Sequence, residues 1–269
     1  MFIIGDDIDL TSELMNAGMR GTIPRDLTVQ PLKMAAVAFP LIPMEEWPER
    51  IAEMEAKKAN MHWIRRTGNN GGNMPVKDQN GQGFCWAYST ARCAELLRAK
   101  ANQPYEPLSA HSVACKIYNF ADRGAWGALS QEFIVKNGIV PERLWPAKSM
   151  NRQYDNTANW AEALKYRISE NWADAAAEVW DRNLSIQQIG TQLLLNNPGS
   201  FDYNWWGHSV CGHTLCDVHP DRSSRDQSRY GAEIDNSWKP SWGDDGSAVL
   251  ADSKAWPDGC TFNLSVIAS

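Results

Sequence analysis

"PVKDQNGQGFCWAYSTARCAELL", residues 75–97, sets a cysteine directly before a tryptophan at the point where a helix is due to begin. From Cys85 onward, "CWAYSTARCAELLRAK" is rich in helix formers, and the preceding "NGQG" supplies two glycines for a sharp turn into that helix. Cys85 is then expected in the first turn, where the helix terminus carries partial positive charge and favours thiolate over thiol. Gln79 lies six residues upstream, on the far side of the turn. Its carboxamide is suited to face the oxygen that becomes anionic when Cys85 attacks a carbonyl. A backbone N–H at the helix start is the second donor. Cys85 is therefore placed as a nucleophile would be, with one more buried thiol as the alternative.

The whole chain frames this reading. Its 269 residues suffice for one large domain or two lobes, and 43% hydrophobic with 22% charged residues is a globular composition. No apolar run approaches the roughly 20 residues that cross a bilayer. The N-terminal "MFIIGDDIDL" is acidic and lacks the pattern of a secretory signal. With a net charge of −6 and no long basic run, phosphate-neutralising contact with nucleic acid is not expected, nor is a membrane partner. Six cysteines are too sparse in a chain of this length for a disulfide framework, and they read as reduced thiols in a cytoplasmic setting. The thirteen tryptophans point to large buried interfaces between elements or with partners.

Along the chain, residues 1–45 read as an extended arm with several prolines. "MEEWPERIAEMEAKKANMHWIRR" is expected as an amphipathic helix, with Pro48 in its first turn and Trp47, Ile51, Met54 and Met61 at helical spacing. "RTGNNGGN", 66–73, is a loop and the expected boundary between residues 1–70 and a domain of residues 71–269. A helical lobe at about 75–150 is expected to run to "SQEFIVKNG", capped by Gly138. Residues 160–196 read as helical again. After Pro198 the texture turns to strands, giving a strand-rich lobe over about 160–269. Helices first and strands second predict an α+β fold with two segregated lobes.

The Cys85 segment resembles the active-site segment of the papain-like cysteine peptidases, "PVK-x-Q-x-x-x-G-x-CWA-[FY]-S". Gln79, Gly83, Cys85, Trp86, Ala87 and Ser89 are all in register. "NSWKPSWGDDG" at 236–246 resembles the family's "NSW-x-x-x-WG-x-x-G", with Asn236, Ser237, Trp238, Trp242, Gly243 and Gly246 in place. Asn236 follows Cys85 by 151 residues, close to the roughly 130–150 that separate the family's cysteine from its histidine and asparagine. "LSAHSVAC" at 108–115 and "RGAWGAL" at 123–129 are weaker echoes, the second where the family lines its cleft with glycine. The resemblance spans residues 75 to about 250 and implies a two-lobe fold with the cleft between a helical lobe and an antiparallel β lobe. Three positions depart from the pattern: Gln82 replaces the cysteine of a disulfide near the cleft, Phe84 replaces a small residue, and Lys239 replaces a glycine.

The resemblance requires a histidine, and "NWWGHSVCGHTLCDVHP" offers His208 and His213. His62 and His111 lie in the helical half and read as surface or packing residues. The family histidine opens a strand whose fourth following residue shares its face. For His208 that residue is Gly212. For His213 it is Asp217, a charge costly to bury at the lobe junction. Spacing from Cys85 favours His213 at 128 residues over His208 at 123. His208 is the better candidate and His213 the alternative, with Asn236 orienting the imidazole. A zinc site built from His208, Cys211, His213, Cys216 and His219 is the weaker reading, because strand alternation sends His208 and Cys211 to opposite faces.

The implied reaction is peptide-bond hydrolysis of a peptide or protein substrate through a thioester on Cys85. His208, Asn236 and Gln79 serve it, and no cofactor or metal is needed. The alternative is a non-proteolytic structural or docking component of a larger assembly, such as a virus particle, attached through residues 1–70.

Overall fold

The computed structural model describes residues 1–8, 21–26, 41–67, 72–169, 172–175 and 182–266. Helix α1 (Trp47–Ala56) and helix α2 (Met61–Thr67) replace the single helix expected over this stretch. The chain breaks between them at Lys58, which takes a left-handed φ of 51° that no helix interior accommodates. Helix α3 (Cys85–Lys100) is the axis of the helical lobe, buried from Cys85 to Ala99, with α4 (Ala110–Ile117) and α5 (Gly127–Asn137) packed against it. Phe84, Trp86, Leu97, Val113, Ile134 and Trp145 fill this core. Helix α5 ends as expected at Gly138, whose N–H reaches the Ile134 carbonyl at 2.9 Å.

Beyond helix α6 (Thr157–Ala163), the residues expected to continue as helix depart from that reading. Trp172–Ala175 form a strand. Strands β1 (Ile3–Ile4), β2 (Trp172–Ala175), β3 (Gly199–Tyr203), β4 (His208–Asp217), β5 (Tyr230–Asp235), β6 (Ser247–Leu250) and β7 (Gly259–Asn263) make one sheet in the order β1-β6-β5-β4-β3-β7-β2. Every pairing is antiparallel except that of β1 with β6. Pairing with β7 from Trp172↔Asn263 to Ala175↔Cys260 overrides the local helix propensity of β2. Helix α7 (Arg182–Leu194) packs on the sheet. The second core there holds Ile189, Phe201, Tyr203, Trp206, Tyr230, Ile234, Leu250 and Phe262.

The boundary expected near residue 70 falls in 68–71, outside the described residues. The chain on its N-terminal side is built into both packing and polar networks. Trp47 is fully buried in the sheet core, edge-on to Tyr230 with ring centroids 4.9 Å apart, and Met61 is fully buried against Cys93 and Leu96. Arg65 of α2 is 1% exposed and sets Nε 2.6 Å from Asp235 Oδ1 of β5. Ile3–Ile4 extend the sheet edge.

Candidate active site

Helix α3 begins at Cys85, with Phe84 as its cap residue, so the thiol stands in the first turn as the sequence predicts. The Trp86 indole fixes the turn into the helix, donating Nε1–H to the carbonyls of Gly83 and Arg123 at 3.0 and 3.1 Å. Gln79 is fully buried. Its Nε2 donates to the Gln82 carbonyl at 2.6 Å, and its Oε1 accepts from Ser237 Oγ at 2.6 Å. The Gln79 N–H bonds the Ser237 carbonyl at 2.9 Å, which ties the loop before α3 to the segment after β5.

His208 opens β4 and is fully buried. Its Nε2 lies 2.8 Å from Asn236 Oδ1. That oxygen can only accept, so the neutral ring carries its proton on Nε2 and keeps Nδ1 as its basic nitrogen. Trp238 covers the ring at a centroid distance of 4.5 Å, and Trp206 meets it edge-on at 4.9 Å. These indoles exclude water from the His208–Asn236 hydrogen bond, which strengthens it.

His213 is placed differently. Its Nδ1 meets Thr214 Oγ1 at 2.9 Å, and its Nε2 is 3.7 Å from Asp235 Oδ1, inside a buried ion network. Two parts of the strand argument for His208 change. Gly212 faces the Phe201 ring, where a Cβ would come within 2.3 Å, so it serves the packing of the sheet. Asp217 is half-buried at the strand end and paired with Arg229 at 2.6 Å, so it is no isolated charge. A register shift between Gly212 and Thr214 breaks the alternation on which the comparison rested. The five residues of the weaker zinc reading have separate neighbours: Cys211 sits 3.3 Å from Cys93, and His219 bonds Asp252. Among the described residues no cluster is suited to hold a metal ion.

The three departures acquire physical roles. Gln82 Oε1 meets His111 Nε2 at 2.5 Å, and His111 Nδ1 meets the Tyr88 hydroxyl at 2.9 Å, so a polar chain ties the loop where the disulfide is missing. Burial, with the Lys148 charge adding, pushes His111 down to about 4. Phe84 packs edge-on to His111. Lys239 adopts a φ of 77°, a conformation that glycine enters without strain.

Sequence reasoning missed what covers the thiol. Residues 21–23 run past Cys85: Ile23 N–H bonds the Ala125 carbonyl at 2.9 Å, Ala125 N–H bonds the Gly21 carbonyl at 2.8 Å, and Thr22 N–H bonds the Gly207 carbonyl at 3.2 Å. Thr22 Oγ1 lies 3.5 Å from Cys85 Sγ. Gly21 presses on the backbone of Gly83 so closely that a Cβ would fall 2.1 Å from its carbonyl oxygen. The signal was the Gly21 position, a residue without a side chain in an otherwise aperiodic arm. Burial pushes the Cys85 thiol above its ordinary value, and the nearby Asp202 charge adds to it. Hydrogen bonds from Thr22 and from the backbone of Ser209 and Gly21 oppose the rise. The expected low thiol pKa is thus not the property of this covered state.

A profile described as papain family cysteine protease matches residues 60–268. The chain is 26% identical to zingipain-2 of Zingiber officinale over 199 residues, covering 71% of this chain and 87% of that protein. It is 25% identical to cathepsin K of Mus musculus over 191 residues, covering 67% of this chain but 56% of that protein. The fold is similar to the crystal structure of xylellain, a cysteine protease from Xylella fastidiosa. There the TM-score is 0.62 at 17% identity, covering 93% of this chain and 97% of xylellain. The chain belongs to the papain family of cysteine proteases.

Proposed function

We propose that this protease hydrolyses peptide bonds with Cys85 as nucleophile, His208 as general base and acid, Asn236 as the group orienting the imidazole, and Gln79 in the oxyanion hole. The observation that carries the reading is the His208 Nε2–Asn236 Oδ1 hydrogen bond of 2.8 Å under Trp238, at the start of the strand β4 that packs against the helix opened by Cys85. His208 Nδ1 takes the thiol proton as Cys85 Sγ attacks the carbonyl carbon, then delivers that proton to the departing amine. Water adds to the thioester with His208 again as base, releasing the acid and restoring the thiol. The Gln79 carboxamide, held at the Gln82 carbonyl in this state, serves the tetrahedral oxyanion together with a backbone N–H at the start of α3.

In this reading residues 21–26 shut the enzyme's own cleft, and turnover requires that they leave it. This assigns the arm to the active site in place of attachment to a larger assembly. All six cysteines are free. Among the described residues no helix is long and apolar enough to cross a membrane. The test is incubation of the wild type and of a Gly21→Val chain with a peptide library, cleavage being read by mass spectrometry with Cys85→Ala as control. Absence of Cys85-dependent cleavage in both would sink the proposal.

A further inference from the structure

Two thiols that the proposed reaction does not use face each other where α3 packs on β4. Cys93 Sγ lies 3.3 Å from Cys211 Sγ, and both residues are fully buried. Cys93 stands inside α3, eight residues after Cys85. Cys211 lies on the central strand of the sheet, three residues after His208 and in register with Ser200 of β3 and Asp235 of β5. Helix and sheet hydrogen bonds therefore fix both backbones, and the sulfur contact follows from the packing of α3 on β4.

The surroundings suit a disulfide better than a thiolate. Met61 of α2, Met74, Leu96 and Ala99 share an apolar cluster with the pair. Burial pushes the Cys211 thiol well above its ordinary value, and the hydrogen bond and charge of Cys93 add to it, with Arg92 opposing. As thiols the two are weak donors and weak acceptors, so their contact contributes little as a hydrogen bond. A disulfide carries no charge and no proton that needs a partner, so it fits an apolar site that a thiolate does not.

We propose that Cys93 and Cys211 are a paired oxidation site, which closes to a disulfide stapling α3 to β4 when the chain meets a small-molecule disulfide such as oxidised glutathione. One cysteine, as thiolate, attacks a glutathione sulfur. A mixed S–S bond forms, the glutathione S–S bond breaks, and one reduced glutathione departs with the proton. The second cysteine attacks its partner's sulfur, the mixed bond breaks, and the second glutathione leaves with the other proton. Two protein thiols are oxidised and one glutathione disulfide is reduced. Both sulfurs are out of solvent in the folded chain, so the exchange requires that the chain open. The staple joins the two elements that begin at Cys85 and His208, and it is independent of the peptidase reading.

The bridge spans 118 positions of chain. Closing a loop of that size favours folding by a factor on the order of 100. Coupling is reciprocal, so the folded chain holds the disulfide more firmly than the unfolded chain by the same factor. The full chain is equilibrated in glutathione buffers from reducing to oxidising, at urea concentrations just below and well above its unfolding transition. Reduced and oxidised starting material are run side by side until they agree. Remaining thiols are then alkylated and the digest is mapped without reductant. Below the transition a crosslinked Cys93–Cys211 peptide pair should predominate. Its half-oxidation there should occur in a mixture on the order of 100-fold more reducing than above the transition, as reduced glutathione squared over glutathione disulfide. Oxidation should raise the urea midpoint of the wild type, and Cys93→Ala or Cys211→Ala should abolish both the crosslink and that rise. Where either variant fails to fold, the wild-type half-points decide alone. Equal half-points above and below the transition would overturn the staple. So would crosslinks in the folded chain that fall as readily on Cys115 or Cys216, or a midpoint that rises as much in Cys93→Ala as in the wild type.

Discussion

Replacing Gly21 by valine should drive the arm out of the cleft. The atoms that a Cβ at Gly21 would strike are the Gly83 carbonyl oxygen at 2.1 Å, its carbon at 2.4 Å and its Cα at 2.6 Å. All three are backbone at the entrance to α3, so no rotamer change relieves the clash. Among the described residues the Thr22 hydroxyl meets Cys85 and Ser209, and three backbone hydrogen bonds hold the segment, two to Ala125 and one to Gly207. At about 1 kcal/mol net each they contribute about 3 kcal/mol. That corresponds to a closed-to-open ratio on the order of 100. Cys85 alkylation by iodoacetamide should therefore rise about 100-fold in the valine chain at fixed pH. The pH midpoint of the reaction should also fall, since burial is the first cause holding the thiol up. Cys115, buried in the helical core, serves as the internal control. A Cys85 rate within about twofold of wild type would refute the reasoning that these hydrogen bonds close the cleft. Equal acceleration at Cys115 would show general loosening instead.

In the Gly21→Val background, His208→Ala should raise the Cys85 thiol toward the ordinary value of about 8.5 and abolish cleavage, whereas His213→Ala should leave both in place; reversed outcomes would move the site by five residues. Arg65→Ala should cost about 3–5 kcal/mol in urea denaturation, because it leaves the buried Asp235 short of a partner; a loss under about 1 kcal/mol would make α2 an appendage. His111 sets an acid limit. Its folded value of about 4 lies below the ordinary 6.5, so the folded state keeps it neutral while the unfolded chain takes up a proton. The contribution, about 3 kcal/mol, is present above pH 6.5 and is lost as the pH falls through 4. Denaturation midpoints measured from pH 7 to 4 should fall less steeply for His111→Gln, and parallel curves would remove His111 from the account.

The elements of the proposed site were legible because their signals are local. A glycine turn before a run of helix formers put Cys85 at a helix start, and the two motif segments fixed the lobes. Strand alternation singled out His208, although the bulge after Gly212 and the Asp217–Arg229 pair show that its reasons were partly mistaken. The illegible parts depend on distant chain. Trp172–Ala175 looks helical alone and becomes a strand only because β7 offers a register. Arg65 looks like an ordinary basic residue at the end of an amphipathic helix. Only folding brings it beside Asp235, 170 positions later. The cleft-covering role of residues 21–23 is carried by backbone N–H and C=O groups, which every sequence has.

The same distant contacts explain how the two halves of the site keep their spacing. Asp235 directly precedes Asn236, and its carboxylate takes Arg65 of α2 on one oxygen and Arg92 of α3 on the other, at 2.6 and 3.2 Å. Arg92 also meets Glu95 at 3.1 Å, and Glu95 meets Lys77 at 2.7 Å, just before the Gln79 loop. Against the upward push of burial, Arg65, His213 and Arg92 hold Asp235 well below the usual carboxylate range. Such buried pairs add little net stability over an apolar core, because desolvation offsets most of their attraction. Breaking one is costly, however, since the remaining charge has no water to turn to. The network therefore penalises sliding of α3 against β5 far more than it rewards folding. Cys85 stands two turns from Arg92 on α3, and Asn236 one residue from Asp235. A shift that spoiled the approach of the thiol to His208 would have to strand at least one of these charges.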